Sequence, residues 1–123
     1  FREDAEAAVS FLENGGKIVF TPISEKLIKS QLDQHNPLIA GVCYTLLVNA
    51  PRERYFLEEK CWKPDDIKGQ PYGHVVVICG YKDDLFQIVD PWPHAEDKYY
   101  VIGAVLLDAI LRNDSNLISF SKV

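Results

Sequence analysis

One stretch, residues 73–91, constrains the fold more than any other part of the chain. An apolar, mostly β-branched run starts at His74, a polar break follows, and a second apolar run ends just before Asp90. Two such runs around a short polar break are typical of a β-hairpin. If the turn is centred near Lys82 or Asp83, position 74 falls opposite position 90 or 91. The pattern therefore predicts an imidazole beside a carboxylate at one end of a sheet.

This predicted pair has a chemical interpretation. An imidazole held by a carboxylate has a fixed tautomer, and its protonated form is stabilised, which is what a general base serving a nucleophile requires. A hydrogen bond at a protein surface would use the same two residue types. His74 and Asp90 are therefore candidate catalytic residues, and the pair alone does not separate catalysis from a structural role.

Length and charge limit the classes of function. A chain of 123 residues suits one domain, here residues 1–123. The net charge of -5 and the lack of a Lys/Arg cluster argue against nucleic-acid binding, which leaves a peptide, a small molecule or a protein as partner. No apolar run approaches the roughly 18 to 20 residues of a membrane span. Methionine is absent, so we expect a fragment, a processed chain or part of something longer.

The three cysteines are odd in number and lack the spacing of metal ligands. Cys43 and Cys79 lie in apolar, strand-like runs, where a free cysteine usually behaves as a small buried hydrophobe. Cys61 lies in a polar stretch and could be exposed. Nothing in this usage demands an oxidising compartment, which favours a reducing one such as the cytoplasm.

The sequence of the N-terminal third of the chain predicts two helices and a short strand. Apolar residues recur at helical spacing over residues 3–14, and two glycines then supply a stop. Residues 17–20, a lysine and three apolar residues, are too few for anything but a strand. Ser24 can cap a second helix, which Pro37 ends because proline disfavours helical geometry in the residue before it. His35 is assigned to the polar end of that helix, with a capping or solvent role.

The next segments predict the centre of the core and a long connection. Residues 38–48 are apolar on both faces for most of their length, as in a strand covered on both sides. Residues 49–72 are charged, rich in proline and aromatics, and predict a long loop or insertion, of which 53–60 could form a short helix. Its aromatics could line a cleft or simply pin the loop down. The remaining predicted elements are a strand at 99–102, a helix at 104–112 with Asp108 and Arg112 spaced for an ion pair, and a strand at 117–121.

The order of these elements resembles a known family. A helix leading into an apolar strand is followed by Gly73-His74 with three apolar residues, then Gly80-Tyr81, then Val89-Asp90-Pro91, and then a final helix and strand. This order resembles the papain-like peptidases of the double-glycine (bacteriocin) leader peptidase family, and the stand-alone members more closely than the domain fused to export transporters. The resemblance covers about residues 24–121 and depends on the three short motifs occurring together.

The resemblance implies both a fold and a reaction. The fold would be α+β, a half-papain domain with a mainly antiparallel sheet and flanking helices. The reaction would be thiol-dependent hydrolysis or acyl transfer at a peptide or amide bond, without a cofactor. His74 matches the histidine that acts as general base and then acid, and Asp90 matches the residue that orients it. A peptide or protein would be the substrate.

The nucleophile of that family is a cysteine at the start of a helix, preceded by a glutamine that helps to form the oxyanion hole. No cysteine precedes Cys43, and the apolar runs around Cys43 and Cys79 are expected to hide both thiols from substrate. Cys61-Trp62 shares only two residues with the Cys-Trp pair of papain-type nucleophiles. The nucleophile is therefore expected upstream of Phe1.

Two alternatives stay open. The domain could lack a nucleophile altogether and act as a papain-like module that binds a peptide or protein. In the second, His74, Asp90 and His94, with Asp97 as a further candidate, could converge as nitrogen and oxygen ligands of a metal ion, in a site of two histidines and one carboxylate.

Overall fold

The computed structural model describes residues 2–92 and 96–121. Its helices are α1 (Arg2–Glu13), α2 (Glu25–Asp33), α3 (Tyr44–Leu47) and α4 (Gly103–Leu111). Its strands are β1 (Leu38–Cys43), β2 (Glu53–Phe56), β3 (Cys61–Pro64), β4 (Gly73–Lys82), β5 (Leu85–Val89), β6 (Lys98–Ile102) and β7 (Leu117–Ser119).

Five of these strands form one antiparallel sheet in the order β6-β5-β4-β1-β7. The strands β2 and β3 form a separate antiparallel pair. The fold is therefore mixed α/β with a five-stranded antiparallel sheet and helices, as the sequence predicted at that level of detail.

The core lies between the helices and one face of the large sheet. Successive residues of a strand point to opposite faces, so one alternate set is available to the helices. Val76, Ile78 and Phe86 belong to that set and are fully buried against Ile28 of α2 and Leu106 of α4. Burying each such side chain stabilises the fold by roughly 1.5 to 3 kcal/mol.

The opposite face of the sheet is much more exposed. Val75 and Tyr100 lie on it and are 53% and 57% exposed. On β1 itself, Ile39 and Gly41 lie on this face and are half-buried, so the prediction of a strand covered on both sides holds fully for one face and only in part for the other. The apolar run 38–48 is longer than β1 because the short helix α3, with Tyr44 and Leu47 buried, follows the strand directly.

The predicted strand over residues 38–48 ends five residues early. Its ladder with β4 stops at the pair Cys43 and Gly73, and the next residue begins the single helical turn α3. The backbone N–H of Tyr44 still donates to the Tyr72 carbonyl at 2.9 Å, in the register of the ladder, and the chain then leaves the sheet. An apolar run does not distinguish a buried strand from a short buried helix, so the sequence pattern could not show this change.

The segment 49–72 contains a β-hairpin, so the predicted short helix at 53–60 is wrong. Cross-strand aromatic packing stabilises the pair β2 and β3, since the rings of Tyr55 and Trp62 are 5.5 Å apart between centroids. Lys60 adopts a positive φ of 51° in the connecting turn. The predicted strand at 17–20 is also absent: these residues form no strand and are exposed.

Other local predictions are confirmed. Gly15 has a φ of +89° directly after α1, as a left-handed helix stop requires. The Ser24 hydroxyl accepts a hydrogen bond from the Leu27 N–H at 3.1 Å and caps α2. Arg112 donates to Asp108 at 3.0 Å on α4. Within the described ranges, every helix is too short or too polar to cross a lipid bilayer.

Candidate active site

The hairpin of β4 and β5 has a different register from the predicted one. Lys82 pairs with Leu85, so the turn lies at residues 83–84, and the register shifts again between Ile78 and Gly80. Continuing the pairing of Val77 with Val89 would set His74 opposite position 92, which makes Asp90 its diagonal neighbour. Direct pairing was therefore wrong. The two side chains still meet, because a diagonal neighbour is within reach of a long side chain.

The imidazole of His74 is held by one hydrogen bond and two rings. Its Nε2 lies 2.7 Å from Asp90 Oδ1. The Tyr44 ring packs at 4.6 Å between centroids and the Trp92 ring at 5.3 Å, both edge to face. The His74 side chain is 12% exposed and that of Asp90 is fully buried. Packing and the carboxylate together fix the plane of the imidazole.

The buried Asp90 carboxylate accepts hydrogen bonds from four donors. Oδ1 accepts from His74 Nε2 at 2.7 Å and from the Trp92 backbone N–H at 2.9 Å. Oδ2 accepts from the Tyr99 hydroxyl at 2.7 Å and the Tyr44 hydroxyl at 3.0 Å. Four acceptor positions are all that a carboxylate offers, so the charge is fully satisfied without water.

These contacts set the protonation states of the cluster. Burial alone would raise the pKa of Asp90, but its four hydrogen-bond donors outweigh that effect and lower the pKa below its ordinary value. Burial, together with the hydrogen bond to Asp90, raises the pKa of Tyr44 to about 12. The same causes raise the pKa of Tyr99. At neutral pH the carboxylate is therefore ionised and both phenols keep the protons they donate.

The arrangement leaves one nitrogen of His74 available. Because Asp90 is an ionised acceptor, Nε2 carries the proton in the neutral imidazole and Nδ1 carries the lone pair. Among residues 2–92 and 96–121, no group forms a hydrogen bond with Nδ1. An oriented imidazole with a free Nδ1 can take a proton from a nearby acid and return it later.

None of the three thiols contacts this nitrogen. Cys43 is buried at the end of β1, and since Val42 pairs with His74, strand alternation puts Cys43 on the opposite face of the sheet. Cys79 is exposed, not buried as predicted, because it lies at the register shift on the more exposed face. Cys61 lies in β3 and is partly exposed.

The proposed metal site of His74, Asp90, His94 and Asp97 includes His94, which lies outside the described residues. Within the part of the chain that the structure describes, no group of three or more His, Cys, Asp or Glu side chains is arranged to hold a metal ion. His35 is exposed just after α2, and its N–H donates to the Leu32 carbonyl at 2.9 Å, in keeping with the predicted place at the polar end of that helix.

Sequence reasoning missed three members of the cluster, namely Tyr44, Trp92 and Tyr99. Tyr44 lay inside a predicted strand, and Tyr99 opened another, so each had a sufficient local explanation. Trp92 falls between the predicted hairpin and the predicted strand at 99–102, in a stretch whose sequence is typical of turns. The one available signal was the position of Trp92 directly after the Asp-Pro motif, which brings it to the same end of the hairpin.

Comparison with solved structures identifies the fold. The chain is similar to the crystal structure of a proposed C39-like peptidase from Bacillus anthracis, with a TM-score of 0.56 and 17% sequence identity. The match covers 84% of this chain and 50% of the other, so the chain spans about half the length of the structure it matches. No protein-family model and no curated protein sequence matches it. On the evidence of the solved structure, the chain has a C39 peptidase-like fold.

Proposed function

We propose that this chain is the histidine- and aspartate-bearing part of a papain-like cysteine peptidase of the leader peptidase type. His74 is the general base and then the general acid, and Asp90 orients it. The observation that carries this proposal is the hydrogen bond from Nε2 to a buried carboxylate, which leaves Nδ1 as the basic nitrogen. The C39 peptidase-like fold and the order of the three short motifs support it.

The nucleophile in this proposal is a cysteine of the same protein outside residues 1–123. Its thiol proton moves to His74 Nδ1, and the thiolate attacks the carbonyl carbon of the scissile amide. When the tetrahedral adduct collapses, the C–N bond breaks and the proton on Nδ1 passes to the leaving amine. Water, or a second amine in acyl transfer, then cleaves the thioester and gives its proton to Nδ1, which returns it to the thiol. Asp90 stays ionised and stabilises the imidazolium of each step.

The position of the thiols also favours a second candidate. Because none of Cys43, Cys61 and Cys79 contacts His74, the same fold without an added nucleophile would be a module that binds a peptide or protein. In that case the buried cluster would only stabilise the end of the hairpin.

Thiol labelling of the full-length protein separates the two candidates. Wild-type protein and His74→Ala are treated with iodoacetamide at pH 7, and the labelled cysteine is located by peptide mass spectrometry. We expect a cysteine outside residues 1–123 to label, and its rate to fall about tenfold or more in His74→Ala, since an unassisted thiol is only a few per cent thiolate at this pH. His35→Ala is the matched control, because His35 is exposed and remote from Asp90 in its contacts.

Equal labelling rates in wild type and His74→Ala would contradict the peptidase. So would a full-length protein with no reactive cysteine outside these residues. In either case the binding module becomes the better account of the fold.

A further inference from the structure

Asp90 holds more donors than the orientation of one histidine requires. Its Oδ1 accepts from His74 and from the Trp92 N–H, while both lone-pair positions of Oδ2 accept from phenols. The two phenols come from opposite directions, since Tyr44 opens α3 after the interior strand β1 and Tyr99 lies in the edge strand β6. The fold thus brings two tyrosines from distant elements to one buried oxygen.

We propose that Tyr44 and Tyr99 are positioning residues that hold Asp90 as an ionised acceptor in one orientation and thereby keep His74 in its Nε2–H tautomer. The catalytic meaning of this role rests on the proposed function, whereas the tautomer and the charge are properties of the chain itself.

The geometry explains why phenols serve this purpose. The Asp90 side chain has no exposed surface, so water cannot stabilise its charge, and a buried carboxylate without donors would take up a proton. Two hydroxyls at 2.7 and 3.0 Å replace that water at Oδ2. A proton on Oδ2 would face both hydroxyl protons, so these donors favour the charged form. The charged form in turn fixes which nitrogen of His74 carries hydrogen.

The hydroxyl groups are separable from the packing of the rings. Tyr44 also packs against His74 and Tyr72 through its ring, which phenylalanine retains. The titratable groups that bond to the Asp90 carboxylate among the described residues are His74 of β4, Tyr44 of α3 and Tyr99 of β6, and burial together with the charge of Asp90 raises the pKa of the nearby Tyr72. Tyr→Phe substitutions therefore remove one donor at a time from a closed set.

Nuclear magnetic resonance of this chain tests the proposal. The titration of the Asp90 carboxyl is followed by its 13C shift, and the tautomer of His74 by the 15N shifts of its ring. In the wild type we expect Asp90 to titrate below an ordinary aspartate and neutral His74 to carry its proton on Nε2. Tyr44→Phe and Tyr99→Phe should each move the Asp90 titration to higher pH, and the double variant should move it further and populate the Nδ1–H tautomer.

The chain offers a matched control in Tyr81, whose hydroxyl donates to the exposed Asp33 at 2.8 Å. Tyr81→Phe removes the same kind of bond and should change neither signal. A second control is the Asp90→Asn background, in which removing the phenols should no longer alter the His74 tautomer.

Three results would overturn the proposal. They are a wild-type His74 protonated on Nδ1, a wild-type Asp90 that titrates at or above the ordinary value, and Tyr→Phe variants that leave the Asp90 titration unchanged. The first two need no variant, so they decide the proposal even if a substitution prevents folding. Because no nucleophile takes part, failure here is distinct from failure of thiol labelling in the full-length protein.

Discussion

At the scale of single residues, Asp90 connects four parts of the fold through one side chain. It follows β5, and its carboxylate is bonded to His74 of β4, Tyr44 of α3 and Tyr99 of β6. A fully buried charge of this kind is stable only while its partners remain in place. The candidate catalytic group is therefore also a structural one, and changes at this position must be measured on stability as well as on activity.

Replacing this carboxylate tests its charge. In Asp90→Asn an NH2 group replaces one carboxylate oxygen, and this group cannot accept hydrogen bonds from the donors that face it. We therefore expect a loss of roughly 3 kcal/mol in the free energy of unfolding at pH 7. The folded-state pKa of Asp90 is below its unfolded value, so the unfolded chain binds the proton first as pH falls. The stability difference between wild type and variant should therefore narrow as pH falls through the folded-state pKa, by the part that depends on the charge of Asp90.

Urea denaturation at a series of pH values measures this difference. Asp33→Asn is the control, since Asp33 also accepts from a phenol but is exposed, and its replacement should cost less than about 1 kcal/mol. A wild-type advantage over Asp90→Asn that grows as pH falls would show that the buried group is not a stabilising carboxylate.

The site could be predicted only in part from the sequence. The hairpin pattern predicted that His74 and Asp90 approach each other, because two apolar runs around a polar break leave few other pairings. It could not give the shift in register after Ile78, which depends on the packing of the neighbouring strands. Tyr44 and Tyr99 both bond to Asp90, but they are 46 and 9 residues away from it in the sequence. No local sequence pattern shows that these side chains meet.

At the scale of elements, the same limit explains which predictions failed. The cap at Ser24 and the stop at Gly15 are local, and both were predicted correctly. The hairpin of β2 and β3 is anchored by two backbone hydrogen bonds between Glu53 and Gln70. The Glu53 N–H donates to the Gln70 carbonyl at 3.0 Å, and the Gln70 N–H donates to the Glu53 carbonyl at 2.7 Å. That anchoring is not visible in the composition of residues 49–72, which resembles a loop.

Gly69 is the position on which the anchoring of this hairpin depends most. A Cβ there would overlap the Asp65 carbonyl oxygen and approach the backbone N and O of Glu53 to 2.9 Å each. These are backbone atoms that cannot turn aside, so Gly69→Ala should displace the turn at a cost of about 1 to 3 kcal/mol. We expect hydrogen-exchange protection to fall at the amides of Glu53 and Gln70 while β4 and β5 remain protected.

Gly80→Ala is the control for Gly69→Ala. The closest atom to a Cβ at Gly80 is Gln87 Oε1 at 3.4 Å, which is an ordinary contact with a flexible side chain. Exchange in the 53–70 segment should be unchanged by it. Retained protection at Glu53 and Gln70 in Gly69→Ala would mean that the turn absorbs the methyl group and does not anchor the hairpin.

At the scale of the whole molecule, stability is concentrated in residues 28–110. The buried core draws on α2, α3 and α4 and on one face of the five-stranded sheet. In contrast, α1 has no buried residue, and the segment after it exposes Val19 and Phe20 by 74% and 95%. Elements that bury little apolar surface contribute little to the global free energy of unfolding.

A chain that begins at Thr21 should therefore fold like the whole sequence. It keeps the Ser24 cap and the contacts of Ile28, and none of the residues 2–20 that it loses is buried in the fold. We expect the free energy of unfolding in urea to change by less than about 0.5 kcal/mol and the m-value to be nearly unchanged. Ile28→Ala in the whole chain is the comparison, since truncating this fully buried side chain should cost about 2 to 5 kcal/mol. A loss of cooperative unfolding on removing residues 1–20 would instead mean that α1 packs on the exposed face of the sheet, where Val75 and Tyr100 offer it an apolar surface.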